Sequence, residues 1–125
     1  MEIKGKFDHF NINVTDLDRS IEFYEKALGL KKCGEIDSPN GAFKIVYLED
    51  GSSSFKLELT WLKSHKGPYE LGENESHLCV RVPGNYDEIR QYHKDMGCVC
   101  FENDAMNLYF IHDPDDYWIE VLPLK

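Results

Sequence analysis

Residues 7–14 alternate, with Phe10, Ile12 and Val14 on one face and His9, Asn11 and Asn13 on the other. Strict alternation marks a half-buried strand. The period then lengthens: Leu17, Ile21, Tyr24 and Leu28 recur at helical spacing and predict an amphipathic helix. Thr15, with Asp18 three residues on, reads as a capping-box-like start, and Gly29 as a left-handed stop. Shorter strand signals follow near residues 31–37, 43–49 and 55–61, the last two separated by the turn Asp50-Gly51-Ser52-Ser53-Ser54.

The plan then recurs. His77–Val82 alternates, Asn85 with Glu88 opens a helix, Ile89, Tyr92 and Met96 line it, and Gly97 ends it. Strands are predicted near 98–102, 107–112 and 117–122, with Asp113-Pro114-Asp115-Asp116 as the last turn. Shifting the chain by 68 lays His9 on His77, Phe10 on Leu78, Ile12 on Val80, Ile21 on Ile89, Tyr24 on Tyr92 and Gly29 on Gly97. Further along the shift is 62, laying Tyr47 on Tyr109, Leu48 on Phe110, Leu57 on Ile119, Glu58 on Glu120 and Leu59 on Val121. A repeat kept through two segments predicts duplicated supersecondary units. The expectation is an α+β fold, one domain of two βαβββ modules at about residues 5–62 and 75–123, linked by 63–74 with its Gly67-Pro68 and Gly72. The polar face carrying His9, Asn11 and Asn13 would line a cup between two curved sheets.

Composition narrows the partners. At 125 residues a single domain is expected. Lys and Arg number 14 against 23 Asp and Glu, a net charge of −9 that argues against nucleic acid and anionic membrane surfaces. No apolar run approaches membrane-spanning length, and Met1–Lys6 lacks the apolar core of a signal peptide, so a cytoplasmic protein is expected. The four cysteines, Cys33, Cys79, Cys98 and Cys100, read as reduced thiols, mostly core fillers. A Cys-x-Cys metal site at Cys98 and Cys100 is the alternative.

The repeat also selects chemistry. Each half contributes a His at its first strand and a Glu at its last: His9, Glu58, His77 and Glu120. Lys56, Glu58 and Thr60 face one way, and Leu57, Leu59 and Trp61 the other. Glu120 lies between Ile119 and Val121, where a carboxylate is costly unless paired or metal-bound. Two imidazoles and two carboxylates suit a divalent first-row metal, with two of six positions left open. Taken singly, each of the four is an ordinary strand residue; their shared register is what marks them. His65, His93 and His112 read as linker, helix and loop residues.

Three segments carry a resemblance. They are Asp16-Leu17-Asp18-Arg19-Ser20-Ile21-Glu22-Phe23-Tyr24 through Leu28-Gly29-Leu30, then Leu57-Glu58-Leu59-Thr60 with Tyr69-Glu70-Leu71-Gly72 and His77, and Asp113-Pro114-Asp115-Asp116-Tyr117-Trp118-Ile119-Glu120. Together they resemble the glyoxalase I (lactoylglutathione lyase) family of the vicinal oxygen chelate superfamily over nearly the whole chain. The helix segment is common across that superfamily; the middle run is more specific to glyoxalase I.

The resemblance implies a curved eight-stranded open barrel and a homodimer with interfacial active sites. It implies metal ligation by His9, Glu58, His77 and Glu120, with Glu120 as the base. A His at the first ligand position resembles the Ni²⁺- and Co²⁺-using branch rather than the Zn²⁺ branch. The implied reaction isomerises the hemithioacetal of a 2-oxoaldehyde such as methylglyoxal to a 2-hydroxyacyl thioester. Asn11, Asn13 and Arg81 are the expected substrate contacts.

The chain departs from the glutathione-using pattern. Asn13 stands where Arg is usual, Trp61-Leu62 where Asn commonly follows, Asp116 where Gly is usual, and the acidic Glu102–Asn107 where Lys or Arg is usual. Two alternatives remain: another chemistry of this superfamily, such as a dioxygenase or thiol transferase, or a resistance protein that sequesters a small ligand.

Overall fold

A computed structural model describes residues 1–124. The chain runs β1 (His9–Asn13), α1 (Leu17–Leu28), β2 (Lys31–Asp37), β3 (Phe43–Glu49), β4 (Lys56–Leu62), β5 (Leu78–Val82), α2 (Tyr86–Met96), β6 (Val99–Asn103), β7 (Leu108–His112) and β8 (Trp118–Pro123). It divides into two compact units, one spanning Met1–Tyr69 and one beginning at Glu70. Each unit is the expected βαβββ module. The sheet order is β1-β4-β3-β2 in the first and β5-β8-β7-β6 in the second, giving an α+β fold. In each, the first strand runs parallel to the last and the other pairings are antiparallel. The repeat extends to irregularities: the register slips between Lys32 and Gly34 in β2, and between Val99 and Phe101 in β6. Among the described residues no helix is long and apolar enough to cross a membrane.

The helices begin and end where short-range chemistry stops them. Asn85 caps α2, its side chain accepting from the Glu88 N–H at 3.0 Å, and Gly29 and Gly97 take left-handed φ of 70° and 77°. At α1 the cap is Asp16, which accepts from the Arg19 N–H at 3.1 Å. Thr15, the expected cap, sits one residue outside it. Asp16 is the extended residue here (φ −138°, ψ 102°), and its shorter reach to the third N–H decides the matter.

One sheet face in each unit packs under its helix. In the first unit Ile12, Val14, Val46, Leu48, Leu57 and Leu59 are buried with Tyr24 and Ala27 of α1. Each such aliphatic side chain contributes about 1.5–3 kcal/mol. In the second unit Tyr109, Ile111, Ile119 and Val121 form the same layer, but α2 meets it differently. Tyr92, expected to line the core, is 49% exposed, and the adjacent His93 is buried instead. The buried Tyr109 hydroxyl needs a partner, and His93 Nδ1 supplies it at 2.7 Å. Burial pushes the Tyr109 phenol up.

The sheets also correct the repeat register. Tyr47 of β3 stands opposite Glu58, whereas the residue opposite Glu120 is Phe110. Tyr47 therefore corresponds to Phe110, and Tyr109 corresponds to the buried Val46. The β3–β4 connection is one residue longer than the β7–β8 connection, so the pairing of Tyr47 with Tyr109 was a coincidence of residue type. All four cysteines are free, but Cys33 and Cys79 are exposed rather than core. Burial pushes the Cys98 thiol up to about 11.

Candidate metal and catalytic site

In the first unit, the polar sheet face collects His9, Asn11 and Asn13 from β1, Glu58 and Thr60 from β4, and Tyr47 from β3. Parallel pairing sets Asn11 opposite Glu58, and antiparallel pairing sets Tyr47 on its other side. Because successive side chains alternate, burying Leu57 and Leu59 under α1 turns Glu58 to this face. His9 Nε2 lies 3.4 Å from Glu58 Oε2, whose side chain is 12% exposed. The Tyr47 hydroxyl donates to the same oxygen at 2.6 Å, a bond that pushes the phenol up. Asp8 Oδ2 sits 2.6 Å from His9 Nδ1. That contact is the main reason the imidazole is raised and the Asp8 carboxyl lowered. Asn11 donates to Asn13 at 3.0 Å and accepts from the Thr60 hydroxyl at 2.5 Å, so the two expected substrate contacts are tied into one polar row.

The second unit repeats this with different neighbours. His77 Nε2 lies 3.2 Å from Glu120 Oε1, and the Glu120 side chain is 18% exposed. Cys79 and Phe110 stand opposite Glu120 on the two flanking strands. Burial and the Glu120 carboxylate both push the Cys79 thiol up. The His77 ring meets Phe110 edge-on at 4.9 Å, and Phe110, Trp118 and Phe101 form a contiguous aromatic wall with centroid separations of 5.4–6.3 Å. Arg81 donates to the Pro123 carbonyl at 3.0 Å.

The acidic segment at 102–107 is less bare than its composition suggests. Glu102 follows Phe101 on the opposite sheet face and pairs with Lys94 at 3.3 Å and Arg90 at 3.8 Å. Asp104 pairs with Arg90 at 3.2 Å. Its charge is therefore answered by α2.

Both predicted His–Glu pairs thus form, one in each unit. Among the described residues, no group of three or more His, Cys, Asp and Glu side chains is drawn together as a metal cluster. The local chemistry of the first pair suits a cation. An ionised Asp8 can only accept, so a neutral His9 donates through Nδ1 and turns the Nε2 lone pair toward Glu58 Oε2. Ordered carboxylate–His contacts of this kind orient metal-ligating imidazoles. Reading the sequence missed Asp8, Tyr47 and Cys79. The alternation of β3, with Val46 and Leu48 buried, was the signal for Tyr47.

Residues 6–121 match the Glyoxalase/Bleomycin resistance protein/Dioxygenase superfamily. The lactoylglutathione lyase of Neisseria meningitidis is 31% identical over 126 residues, covering 94% of this chain and 89% of that protein. The lactoylglutathione lyase of Haemophilus influenzae is 31% identical over 124 residues, covering 94% and 91%. Among solved structures, the glyoxalase I of Leishmania major, described as trypanothione-dependent, superposes with a TM-score of 0.82 at 31% identity. That match covers 96% of this chain and 87% of that one.

Proposed function

The chain belongs to the Glyoxalase/Bleomycin resistance protein/Dioxygenase superfamily and, within it, to the glyoxalase I family, and on that premise we propose that it isomerises the hemithioacetal of a 2-oxoaldehyde to a 2-hydroxyacyl thioester. Methylglyoxal, cleared in the cytoplasm, is the aldehyde we favour. The two modules, about residues 5–62 and 75–123, act as one domain. His9, Glu58, His77 and Glu120 hold a divalent metal, Ni²⁺ or Co²⁺ ahead of Zn²⁺, with each site completed across a homodimer interface. When bound, the metal supplies Lewis-acid stabilisation of the negative charge that develops on the two vicinal substrate oxygens.

The protein's own groups handle the proton. Glu120 takes it from the carbon bearing the thioether and hydroxyl, and returns it to the adjacent carbonyl carbon. The hydroxyl of the first carbon gives up its proton as that carbon becomes the thioester carbonyl, and the oxygen of the second carbon takes up a proton in its place, so the second carbon bears the hydroxyl. Phe110, Trp118 and Phe101 keep water from Glu120 while the proton is held. Asn11, Asn13 and Arg81 contact the thiol-derived portion. With Asn13 and Leu62 where a glutathione-using site carries polar or basic groups, a thiol less anionic than glutathione is favoured. The trypanothione dependence of the similar Leishmania major protein supports reading the thiol side of this fold as variable.

The observation that carries this reading is the placement of His9–Glu58 and His77–Glu120 at equivalent positions of two repeated sheets, at 3.4 and 3.2 Å. The test is metal removal followed by reloading, with thioester formation read by absorbance for methylglyoxal adducts of several thiols. Activity should vanish on chelation and return better with Ni²⁺ or Co²⁺ than with Zn²⁺. Absence of metal uptake together with absence of thioester from every adduct would overturn it.

A further inference from the structure

We propose that Tyr47 is a positioning residue that pins Glu58 as the fixed carboxylate ligand, and that Phe110, its counterpart, leaves Glu120 free to swing. This rests on the ligand reading of His9, Glu58, His77 and Glu120 above. The two half-sites correspond at the position facing each glutamate from the antiparallel strand. Tyr47 and Phe110 each stand directly opposite the glutamate on the neighbouring antiparallel strand. Each ring meets the histidine edge-on, at 5.8 Å and 79° for His9–Tyr47 and 4.9 Å and 80° for His77–Phe110. The difference is one phenolic oxygen, placed 2.6 Å from Glu58 Oε2.

That oxygen has a direct consequence. A hydroxyl donating to a carboxylate forms a short, charge-assisted bond, stronger than one between neutral groups. It holds Glu58 in one rotamer with one face of Oε2 already occupied, so less side-chain freedom is lost when a cation is bound. A second brace acts on the partner ligand, because Asp8 fixes the His9 ring through Nδ1 at 2.6 Å. In the second unit Ser76 precedes His77, Phe110 stands opposite Glu120, and the nearby Tyr86 hydroxyl donates to the Val121 carbonyl. The neighbours of Glu120 are His77, the aromatic Phe110 and the thiol of Cys79, a weak donor. A carboxylate that must leave its resting position to meet substrate gains from such loose surroundings, and one that anchors a metal gains from the phenol.

The test uses the full-length protein, with Ni²⁺ affinity read by competition with a coloured chelator and kcat read separately at saturating Ni²⁺. Tyr47→Phe should lower Ni²⁺ affinity by about ten- to a hundred-fold, the range seen when outer partners of metal ligands are removed. Its kcat should fall by a smaller factor. Phe110→Tyr, which gives Glu120 the matching phenol, should raise Ni²⁺ affinity or leave it unchanged while lowering kcat by about tenfold or more. A merely structural role would not split the two readouts in opposite directions.

Ni²⁺ affinity of Tyr47→Phe within about twofold of the parent protein would overturn the proposal. Should that variant not fold by circular dichroism, Phe110→Tyr decides alone, and an unchanged kcat overturns the proposal. Failure of the underlying reading looks different: the parent protein takes up no Ni²⁺, or its uptake is indifferent to His9→Ala and His77→Ala.

Discussion

The two units share a topology, a register and a His–Glu pair, yet they distribute their polar bonds oppositely. The first unit is braced at its candidate ligands, through Asp8–His9 at 2.6 Å and Tyr47–Glu58 at 2.6 Å, above a core of aliphatic residues with Tyr24. The second leaves Glu120 beside a wall of Phe110, Trp118 and Phe101, and puts its strong polar bond beneath the sheet, between His93 and Tyr109 at 2.7 Å. The repeat therefore preserves the His–Glu pair while its surroundings diverge. A carboxylate's task is set by those surroundings, because neighbours decide whether it is held, shielded or free.

The largest expected effect separates the two glutamates. Glu120→Gln should keep the fold and lose turnover by about a hundred- to ten-thousand-fold, since the amide cannot accept the substrate proton. Glu58→Gln should lose metal affinity at least as much as rate. A Glu120→Gln protein that retains most of the parent rate with metal bound would move the base to Glu58 or to water, and the comparison would invert.

Next in size is the thiol. Each missing charge-assisted contact costs about 1.5–3 kcal/mol. Without a basic residue at Asn13 or Leu62, the glutathione adduct should show a kcat/KM roughly a hundredfold or more below that of a smaller or less anionic adduct, at about 1.4 kcal/mol per tenfold. Steady-state comparison of glutathione, cysteine and a neutral thiol with Ni²⁺ bound measures this. An efficient, clearly preferred glutathione adduct would show that other residues have taken over the role, Arg81 being the first to test.

A smaller effect tests the polar bond under the second sheet. Tyr109→Phe strips the buried His93 of its hydroxyl partner and should lower unfolding free energy by about 1–3 kcal/mol. Urea titration reads this directly. No change in midpoint would mean that the bond is replaced without loss, and the contrast between the two cores would lose its energetic content.

The smallest effect is alkaline. Cys98 is raised from 9.0 to about 11, so the unfolded thiol gives up its proton at lower pH than the folded one. This contribution to stability is fully present below 9.0 and is lost as pH rises through about 11. Cys98→Ala should flatten the loss of stability over that window, measured by urea midpoints at neutral and alkaline pH. An unchanged slope would assign the loss to other groups, Tyr109 among them.

The sequence by itself determined what depends on near neighbours along the chain. The alternation in 9–13 and 78–82, the left-handed stops at Gly29 and Gly97, the Asn85 cap and both βαβββ modules follow from periods and caps that span only a few residues. The repeat register likewise singled out His9, Glu58, His77 and Glu120, because equal spacing from the strand ends survives duplication. Tertiary structure decided what depends on the length of a connection or on competition for one buried partner. Tyr47 sits opposite Glu58 while Tyr109 is buried, because one residue of difference in the following turn reverses which side chain faces which side of the sheet. His93 rather than Tyr92 faces inward because Tyr109, once buried, needs a hydrogen-bond partner. Glu102 is answered by Lys94 and Arg90, which lie close to it only after α2 packs on the strand face opposite Phe101. Local periodicity repeats within a turn or two of chain, whereas cross-strand partners are chosen by every residue in the loop between them.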